Sequence, residues 1–262
     1  MGVLNVTPDS FSDGGRHEDP GLAIEQALRM VAAGADIVDI GGESTRPGSV
    51  RPGLAVELAR VLPVINGLRA ASDVLVSVDT SEPEVMRAAV AAGADLLNDV
   101  RALRQPGAVE AAVACGVPVC LMHMLGAPAT MQRDPHYGDV VAEVLAFLMA
   151  RVAECVAAGL PRDALIIDPG FGFGKTVGHN LALLRQLDVF VATGLPVLAG
   201  LSRKSLIGWL AGDAEGAPAE RLGGSLALAL TARARGARIV RVHDVGPTVQ
   251  AFRVMDGLES RA

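Results

Sequence analysis

Short apolar runs alternate with longer helical stretches eight times along this chain, and this alternation constrains the fold more than any other feature. The runs are five or six residues long, as expected for buried strands. Eight strands that alternate with eight helices predict a parallel sheet in which a helix follows each strand. Strands are predicted at 2–6, 36–40, 74–79, 95–99, 118–123, 164–168, 196–201 and 238–243. Helices are predicted at 21–33, 54–70, 82–92, 107–114, 139–158, 179–193, 219–235 and 247–257.

Local signals support these element ends. Pro20 is suited to the first turn of a helix, and Ser81 with Glu84 has capping-box spacing. The words 32–36 and 91–95 are both Ala-Ala-Gly-Ala-Asp, which indicates an internal repeat of one strand-helix unit. Glycines stand where a left-handed residue would end a helix, at Gly34, Gly93, Gly116, Gly159, Gly194 and Gly236.

The count of eight units, with no linker between halves, predicts a closed α/β barrel of the (β/α)8 or TIM-barrel type. We expect one domain over residues 1–262. An open, doubly wound sheet is the alternative that the pattern alone leaves.

Composition narrows the function classes. Half of the residues are hydrophobic but only 3% are aromatic, which suits parallel strands buried on both faces by aliphatic side chains. A net charge of −6, with no run of more than two basic residues, argues against a nucleic-acid partner. There is no apolar run of membrane-spanning length, no signal-peptide pattern and no metal spacing among the three cysteines. We therefore expect a cytoplasmic protein without a membrane partner.

Polar residues stand at the carboxyl ends of all eight predicted strands, where barrels of this type carry their chemistry. One such residue alone could be a helix cap or a satisfied core group, but eight at one rim indicate a ligand. These residues are Asn5, Glu43-Ser44-Thr45-Arg46, Asp79, Asn98-Asp99, His123, Asp168, Ser202-Arg203-Lys204, Arg241 and His243.

The residue types indicate what the ligand looks like. Asp79, Asn98 and Asp168 offer acceptors to a flat heterocycle with adjacent N–H and amino donors, such as a 2-amino-4-oxopyrimidine. Lys204 adds a donor for the carbonyl side of the ring. An amide, a guanidinium and an imidazole from strands one and eight suit a diphosphate with a divalent cation, and these are Asn5, Arg241 and His243.

The glycine-rich segment 170–176 looks like a phosphate loop, but Pro169 stands where a Walker motif requires glycine. We interpret it as a flexible loop that leans over the heterocycle at Asp168. His17, His136 and His179 have no metal-ligand spacing and are interpreted as surface or capping residues. Met122 either packs in the core or lines a ring pocket.

Seven words, in order over nearly the whole chain, resemble those of the dihydropteroate synthases. They are Asn5-Val6-Thr7-Pro8-Asp9-Ser10-Phe11-Ser12-Asp13-Gly14-Gly15, Gly42-Glu43-Ser44-Thr45-Arg46-Pro47-Gly48, Ser77-Val78-Asp79-Thr80, Asn98-Asp99-Val100, Asp168-Pro169-Gly170-Phe171-Gly172-Phe173-Gly174-Lys175, Ser202-Arg203-Lys204-Ser205 and Arg241-Val242-His243-Asp244.

The resemblance implies an enzyme that condenses (7,8-dihydropterin-6-yl)methyl diphosphate with 4-aminobenzoate, using Mg2+. Asn5 is the implied Mg2+ ligand, Asp13 would lie over the reacting carbon, and Arg241 and His243 would bind the diphosphate. The implied pterin set is Asp79, Asn98, Asp168, Lys204, Met122, Gly200 and Thr45. The implied aminobenzoate pocket, which in the family also binds sulfonamides, is Phe11, Arg46, Pro47, Phe173, Lys204 and Ser202.

The same resemblance implies a homodimer and a dissociative displacement, in which the first two loops close to exclude water. Family members usually carry a hairpin before the first strand, so we expect further chain upstream of residue 1. Two other functions stay open. A corrinoid methyltransferase of the same superfamily would share the pterin pocket, and a paralogue without catalysis would only bind the pterin.

Overall fold

The computed structural model describes residues 1–7, 20–43, 51–126 and 130–260. The predicted alternation is present, and all strand pairs are parallel. In chain order the strands are β1 (Gly2–Asn5), β2 (Ile37–Gly41), β3 (Leu75–Asp79), β4 (Leu96–Asp99), β5 (Val119–Met122), β6 (Leu165–Asp168), β7 (Leu198–Ala199) and β8 (Ile239–Val240).

Backbone hydrogen bonds join the strands into a ring. Strands β1 to β6 pair successively, and β7 pairs with β8. Ile167 N donates to Pro196 O at 3.0 Å, which joins β6 to the start of β7. Val3 N donates to Val242 O at 2.9 Å, and an isolated parallel bridge pairs Gly2 with Val242, so β1 is joined to the residues that directly follow β8. The barrel prediction is therefore confirmed, and the open sheet is wrong because β1 has a partner on each side.

Ten α-helices surround the strands in the described ranges, two more than predicted. The predicted sixth helix divides at Gln186 into α6 and α7, and the short α8 follows β7. The helices are α1 (Pro20–Ala32), α2 (Leu54–Ala71), α3 (Pro83–Ala91), α4 (Ala108–Cys115), α5 (Val140–Ala157), α6 (Val177–Arg185), α7 (Leu187–Val191), α8 (Ser205–Leu210), α9 (Leu222–Ala234) and α10 (Val245–Glu259). None of the described helices is both long and apolar enough to cross a bilayer.

The helix-end predictions are mostly confirmed. Pro20 is the first residue of α1. The capping box at Ser81 is wrong, because α3 begins at Pro83 and the Ser81 hydroxyl instead donates to the buried carboxylate of Asp99. All six predicted helix-ending glycines have positive φ, from 66° to 111°, and these are Gly34, Gly93, Gly116, Gly159, Gly194 and Gly236.

The barrel interior is layered, and this layering positions the polar rim. Residues two apart on a strand point to the same face, so each inward apolar residue is followed by a second inward residue one layer higher. The lower layer is an apolar cluster of Met1, Ile37, Leu96, Cys120, Ile166, Leu198 and Ile239. Two positions further along the strands stand Val3, Asp39, Asn98, Met122, Asp168, Gly200 and Arg241. This apolar cluster forms the floor of the barrel interior, directly beneath a mostly polar layer.

Candidate active site

A pocket opens at the carboxyl ends of the strands, above the apolar floor. Ten of the residues that line it are ones the sequence predicted for the site, drawn from strands β3 to β8 and the loops that follow them. The lining residues are Val3, Asp79, Asn98, Val100, Met122, Asp168, Phe173, Gly200, Ser202, Lys204, Arg241 and His243.

The remaining predicted site residues are placed differently. Asn5 ends β1 in register with Gly41, and Gly41 is in register with Asp79, so Asn5 stands at the level of the rim. Phe11, Asp13, Thr45, Arg46 and Pro47 lie outside the described residues. The pocket residues Val3 and Val100 were not predicted, since an apolar residue at a strand end carries no chemical signal.

Arg241 links two carboxylates across the barrel. Its Nε donates to Asp39 Oδ2 at 2.6 Å, and its Nη2 donates to Asp79 Oδ2 at 3.0 Å. Asp39 is fully buried, and sequence reasoning missed it because it lies inside an apolar run. Burial raises the pKa of Asp79 to about 8, and the nearby Arg241 guanidinium opposes the rise.

Asn98 has its amide oriented by the same network. Its Nδ2 donates to Asp39 Oδ2 at 3.2 Å, so the amide oxygen remains as the group that accepts from a ligand. The Asn98 side chain therefore offers an acceptor to the pocket, as the carboxylates do.

Asp168 and Lys204 interact electrostatically, and each shifts the pKa of the other. Gly170 N donates to Asp168 Oδ1 at 2.7 Å, and burial raises the pKa of Asp168. The Lys204 ammonium donates to Phe171 O and lies 4.4 Å from the ring centre of Phe173. Burial lowers the pKa of Lys204 to about 8, and the Asp168 carboxylate opposes this. A cation and an aromatic face thus bound one side of the pocket.

Ser202 and His243 form a hydrogen-bonded pair in the same pocket. Ser202 Oγ accepts from His243 N at 3.2 Å and lies 3.1 Å from His243 Nδ1. The Ser202 hydroxyl can donate to Nδ1 or accept from it, and the two contacts together fix the position of the imidazole ring. Burial, aided by Arg203, lowers the pKa of His243 to about 4, so the ring is neutral at pH 7.

Arg203 explains how Ser202 and Lys204 reach the pocket from one short loop. Its φ of 59° lies in the left-handed region, which is costly for a side chain other than glycine. Its guanidinium donates to Asp244 at 2.6 and 3.0 Å, and its backbone N donates to Ser225 Oγ at 3.0 Å. These contacts hold the strained turn that separates the two pocket residues.

Lys175 was not predicted as a site residue. It is 4% exposed, and its Nζ contacts His123 Nδ1 at 2.9 Å, Gly170 O at 2.9 Å and Phe173 O at 3.0 Å. These contacts fasten the loop between β6 and α6 from within. The amine is also turned away from the open rim, unlike a phosphate-loop lysine.

A second ionic group lies at the base of the loops after β2, β3 and β4. Arg101 donates to both carboxylate oxygens of Glu43, at 2.8 and 3.0 Å, and to Ser81 Oγ at 3.0 Å. Glu43 directly precedes residues 44–50, which lie outside the described ranges, and Arg51 directly follows them. Arg51 forms an ion pair with Glu82, so side chains of neighbouring loops hold both ends of that segment.

The described residues contain no group of three or more His, Cys, Asp or Glu side chains that could hold a metal ion. Asn5 offers one neutral amide oxygen, with the small Gly41 beside it. Such a site suits Mg2+ that takes its other ligands from phosphate oxygens and water, as this ion commonly does.

The pocket can therefore bind a heterocycle rich in donors on one side and an anion on the other. Comparison with known proteins agrees with this chemistry. A family model described as "Pterin binding enzyme" matches residues 1–243. Dihydropteroate synthase of Escherichia coli (strain K12) is 52% identical over 256 residues, covering 98% of this chain and 90% of that protein.

Solved structures give the same result. The chain is similar to Xanthomonas albilineans dihydropteroate synthase with 4-aminobenzoic acid, with a TM-score of 0.93 and 52% identity over 99% of this chain and 92% of that one. It is also similar to the Yersinia pestis dihydropteroate synthase in a sulfonamide drug complex. That TM-score is 0.94, with 48% identity over 99% of this chain and 94% of that one.

Proposed function

The chain belongs to the dihydropteroate synthases of the pterin-binding enzyme family, and we propose that it joins a dihydropterin methyl diphosphate to 4-aminobenzoate, releasing diphosphate. It is a transferase of folate biosynthesis. The observation that carries the proposal is the convergence of Asp79, Asn98, Asp168 and Lys204 from four different strands or their loops into one pocket.

The pterin would lie across these four residues. The amide oxygen of Asn98 and the carboxylates accept from the ring N–H and amino groups, and Lys204 donates to the ring carbonyl. Arg241 occupies only Oδ2 of Asp79, so that carboxylate retains an oxygen for the ligand. Met122 and Gly200, which also line the pocket, would contact the faces of the ring.

The diphosphate would lie toward β8 and β1. Arg241 supplies a fixed cation, and the neutral ring of His243 supplies an N–H donor. Asn5 is the residue that would hold Mg2+, and the ion would neutralise charge on the departing diphosphate.

The chemistry requires little proton transfer before attack, because an aniline nitrogen is neutral at pH 7. The difficult step is breaking the bond between the methylene carbon and the diphosphate oxygen. The electron-rich dihydropterin holds the positive charge that develops on the methylene, and preorganised donors stabilise the leaving group. We therefore infer a dissociative displacement in which the chain binds, orients and excludes water.

The aminobenzoate would contact the side of the pocket formed by Phe173, Lys204 and Ser202. Phe11, Arg46 and Pro47 are proposed to complete that side, Thr45 to reach the pterin, and Asp13 to lie over the reacting carbon. We further propose one domain over the whole chain, a homodimer and a cytoplasmic location. The Yersinia pestis relative was solved in a sulfonamide drug complex, and we propose that such drugs bind this chain on the aminobenzoate side.

The test is diphosphate release, measured with both substrates, with each one omitted, and with Lys204→Ala. Aminobenzoate-dependent release that the variant lacks supports the proposal. Diphosphate release that does not depend on aminobenzoate would contradict the proposal. Tight binding of the pterin diphosphate with no release would favour a protein that only binds the pterin, and methyl transfer to a corrinoid would favour the methyltransferase.

A further inference from the structure

This chain uses lysine at two positions only. Of its 23 basic residues other than histidine, 21 are arginines, and the lysines are Lys175 and Lys204. Lys204 lines the pocket, while Lys175 lies behind it, almost without solvent contact. Lys175 is therefore a buried lysine in a chain whose basic residues are almost all arginines. Its surroundings should explain why lysine stands there.

The surroundings of Lys175 match the three protons of an ammonium group. Three acceptors lie at 2.9, 2.9 and 3.0 Å from Nζ, and they are His123 Nδ1, Gly170 O and Phe173 O. The His123 carbonyl oxygen is a weaker fourth partner at 3.4 Å. A guanidinium is planar and larger, so it cannot direct donors to three acceptors around one nitrogen.

The cation has no carboxylate within ion-pair distance among the described residues. Burial lowers the pKa of Lys175 to about 7; the facing Asp168 carboxylate opposes this fall, and the Lys204 ammonium adds to it. Burying a cation without a paired carboxylate is costly. The arrangement therefore adds less to stability than an apolar side chain could, and a role in the site explains its presence better.

Each acceptor of Lys175 is joined to a pocket residue. Phe173, which provides one of these acceptors, also faces Lys204: the centre of its ring lies 4.4 Å from Nζ of Lys204. Gly170 is the residue whose N–H donates to Asp168 Oδ1 at 2.7 Å. His123 follows Met122 and donates its N–H to Asp168 O at 3.0 Å. One ammonium thus connects the end of β5, the end of β6 and the loop after β6.

We propose that Lys175 is a positioning residue that, as an ammonium, fixes the loop after β6 so that Phe173 and Asp168 keep their places around the two substrates. It touches neither substrate. The proposal rests on the proposed function, because it assigns Phe173 to the aminobenzoate side and Asp168 to the pterin side.

The first test separates positioning from folding. Lys175→Met keeps the length of the side chain and removes the charge and the donors. We expect the KM for aminobenzoate to rise about tenfold and the affinity for the pterin diphosphate to fall by a similar factor, since each tenfold step is a modest free-energy change. A purely structural defect lowers the amount of active enzyme, and hence apparent kcat, but leaves KM unchanged.

Tyr137→Phe is the matched control. The Tyr137 hydroxyl donates to Gly174 O at 2.8 Å, so this variant removes another tether of the same loop without touching Phe173 or Gly170. We expect its KM values to stay within about twofold of those of the parent protein, a factor that corresponds to ~0.4 kcal/mol. His123→Phe, which keeps Lys175 but removes one acceptor, should raise KM in the same direction as Lys175→Met.

A second test does not depend on turnover. Because the chain has two lysines, selective 15N labelling of lysine gives at most two ammonium signals. At pH 6 we expect one signal protected from solvent exchange, which is absent in Lys175→Met and retained in Lys204→Met. Loss of aminobenzoate-dependent release in the parent protein would overturn the proposed function but not this assignment. A folded Lys175→Met with unchanged KM, or the absence of a protected signal, would overturn the role of Lys175.

Discussion

Asp39 accepts a 2.6 Å hydrogen bond from Nε of Arg241, although the two residues are 202 positions apart in the chain. The bond crosses the seam where β8 closes against β1, since β2 and β8 are the two neighbours of β1. Asp39 thus holds the guanidinium that we assign to the diphosphate, and it orients Asn98 through its other contact. A residue that touches neither proposed substrate group therefore positions two that do.

Asp39→Asn should reduce both stability and ligand affinity. The variant removes the charge that balances Arg241, which keeps only its contact with Asp79. We expect the free energy of unfolding to fall by roughly 3 kcal/mol, near the lower end of the cost of breaking a buried ion pair. Urea unfolding measures this value. Asp36→Asn, at an exposed carboxylate directly before β2 and three positions before Asp39, serves as the control and should change stability little. Equal stability of the Asp39 variant and the parent would show that the pair is not stabilising.

Asp168→Asn should impair binding far more than folding. The Asn oxygen can still accept from Gly170 N, which keeps the local turn, but the new amide N–H groups then face the donors of the pterin. Loss of a buried charge-assisted hydrogen bond costs ~2–3 kcal/mol, or roughly 30- to 150-fold in affinity. Calorimetric titration with the pterin diphosphate measures this change. Asp188→Asn, on the exposed face of α7, is the control, and unchanged affinity in Asp168→Asn would place the heterocycle elsewhere.

The features of the fold that could be predicted from the sequence are those that depend on neighbouring residues in the chain. Strand period and helix-ending glycines depend on neighbours in the chain, so the eight units and the six left-handed glycines could be predicted. Asp39 could not be assigned a role, because its partners lie on β4 and β8 and a single carboxylate inside an apolar run has no local signature. The only hint was its spacing of two from Ile37, which places it on the inward face. The division between α6 and α7 at Gln186 likewise carries no helix-breaking residue.

Two buried neutral histidines should make the protein sensitive to acid. Burial together with Lys175 lowers the pKa of His123 to about 3, and burial lowers that of His243 to about 4. Between about pH 6.5 and 4 the unfolded chain binds protons at both positions and the folded chain does not, so these two groups lower stability as the pH falls, whereas Asp79, whose pKa is raised by burial, acts in the opposite direction. Two such groups contribute at most ~2.7 kcal/mol per pH unit.

Urea unfolding at pH 7, 6, 5 and 4.5 measures this dependence. His243→Gln should make the slope shallower, whereas His136→Gln, at an exposed position, should leave it as in the parent protein. Equal slopes in all three proteins would mean that His243 binds protons as readily in the folded chain as in the unfolded chain. Activity, in contrast, should not fall between pH 7 and 6 through protonation of His243, because the neutral ring is the form present at both values.

Gly170→Ala and Gly116→Ala form a matched pair that separates backbone strain from crowding. Both glycines have nearly the same φ, +69° and +66°, so the left-handed conformation costs an alanine about 1–2 kcal/mol at either position. At Gly116 nothing lies within 4 Å of the added Cβ, whereas at Gly170 the Cβ would lie 1.9 Å from His123 O. Gly116→Ala should therefore lose only the conformational cost. Gly170→Ala should lower the free energy of unfolding by more than ~4 kcal/mol, a loss typical of severe steric or buried-network defects. It should also weaken pterin binding, because Gly170 N holds the Asp168 carboxylate. Urea unfolding and pterin titration of both variants test this, and similar losses in the two would mean that the loop after β6 moves aside without cost.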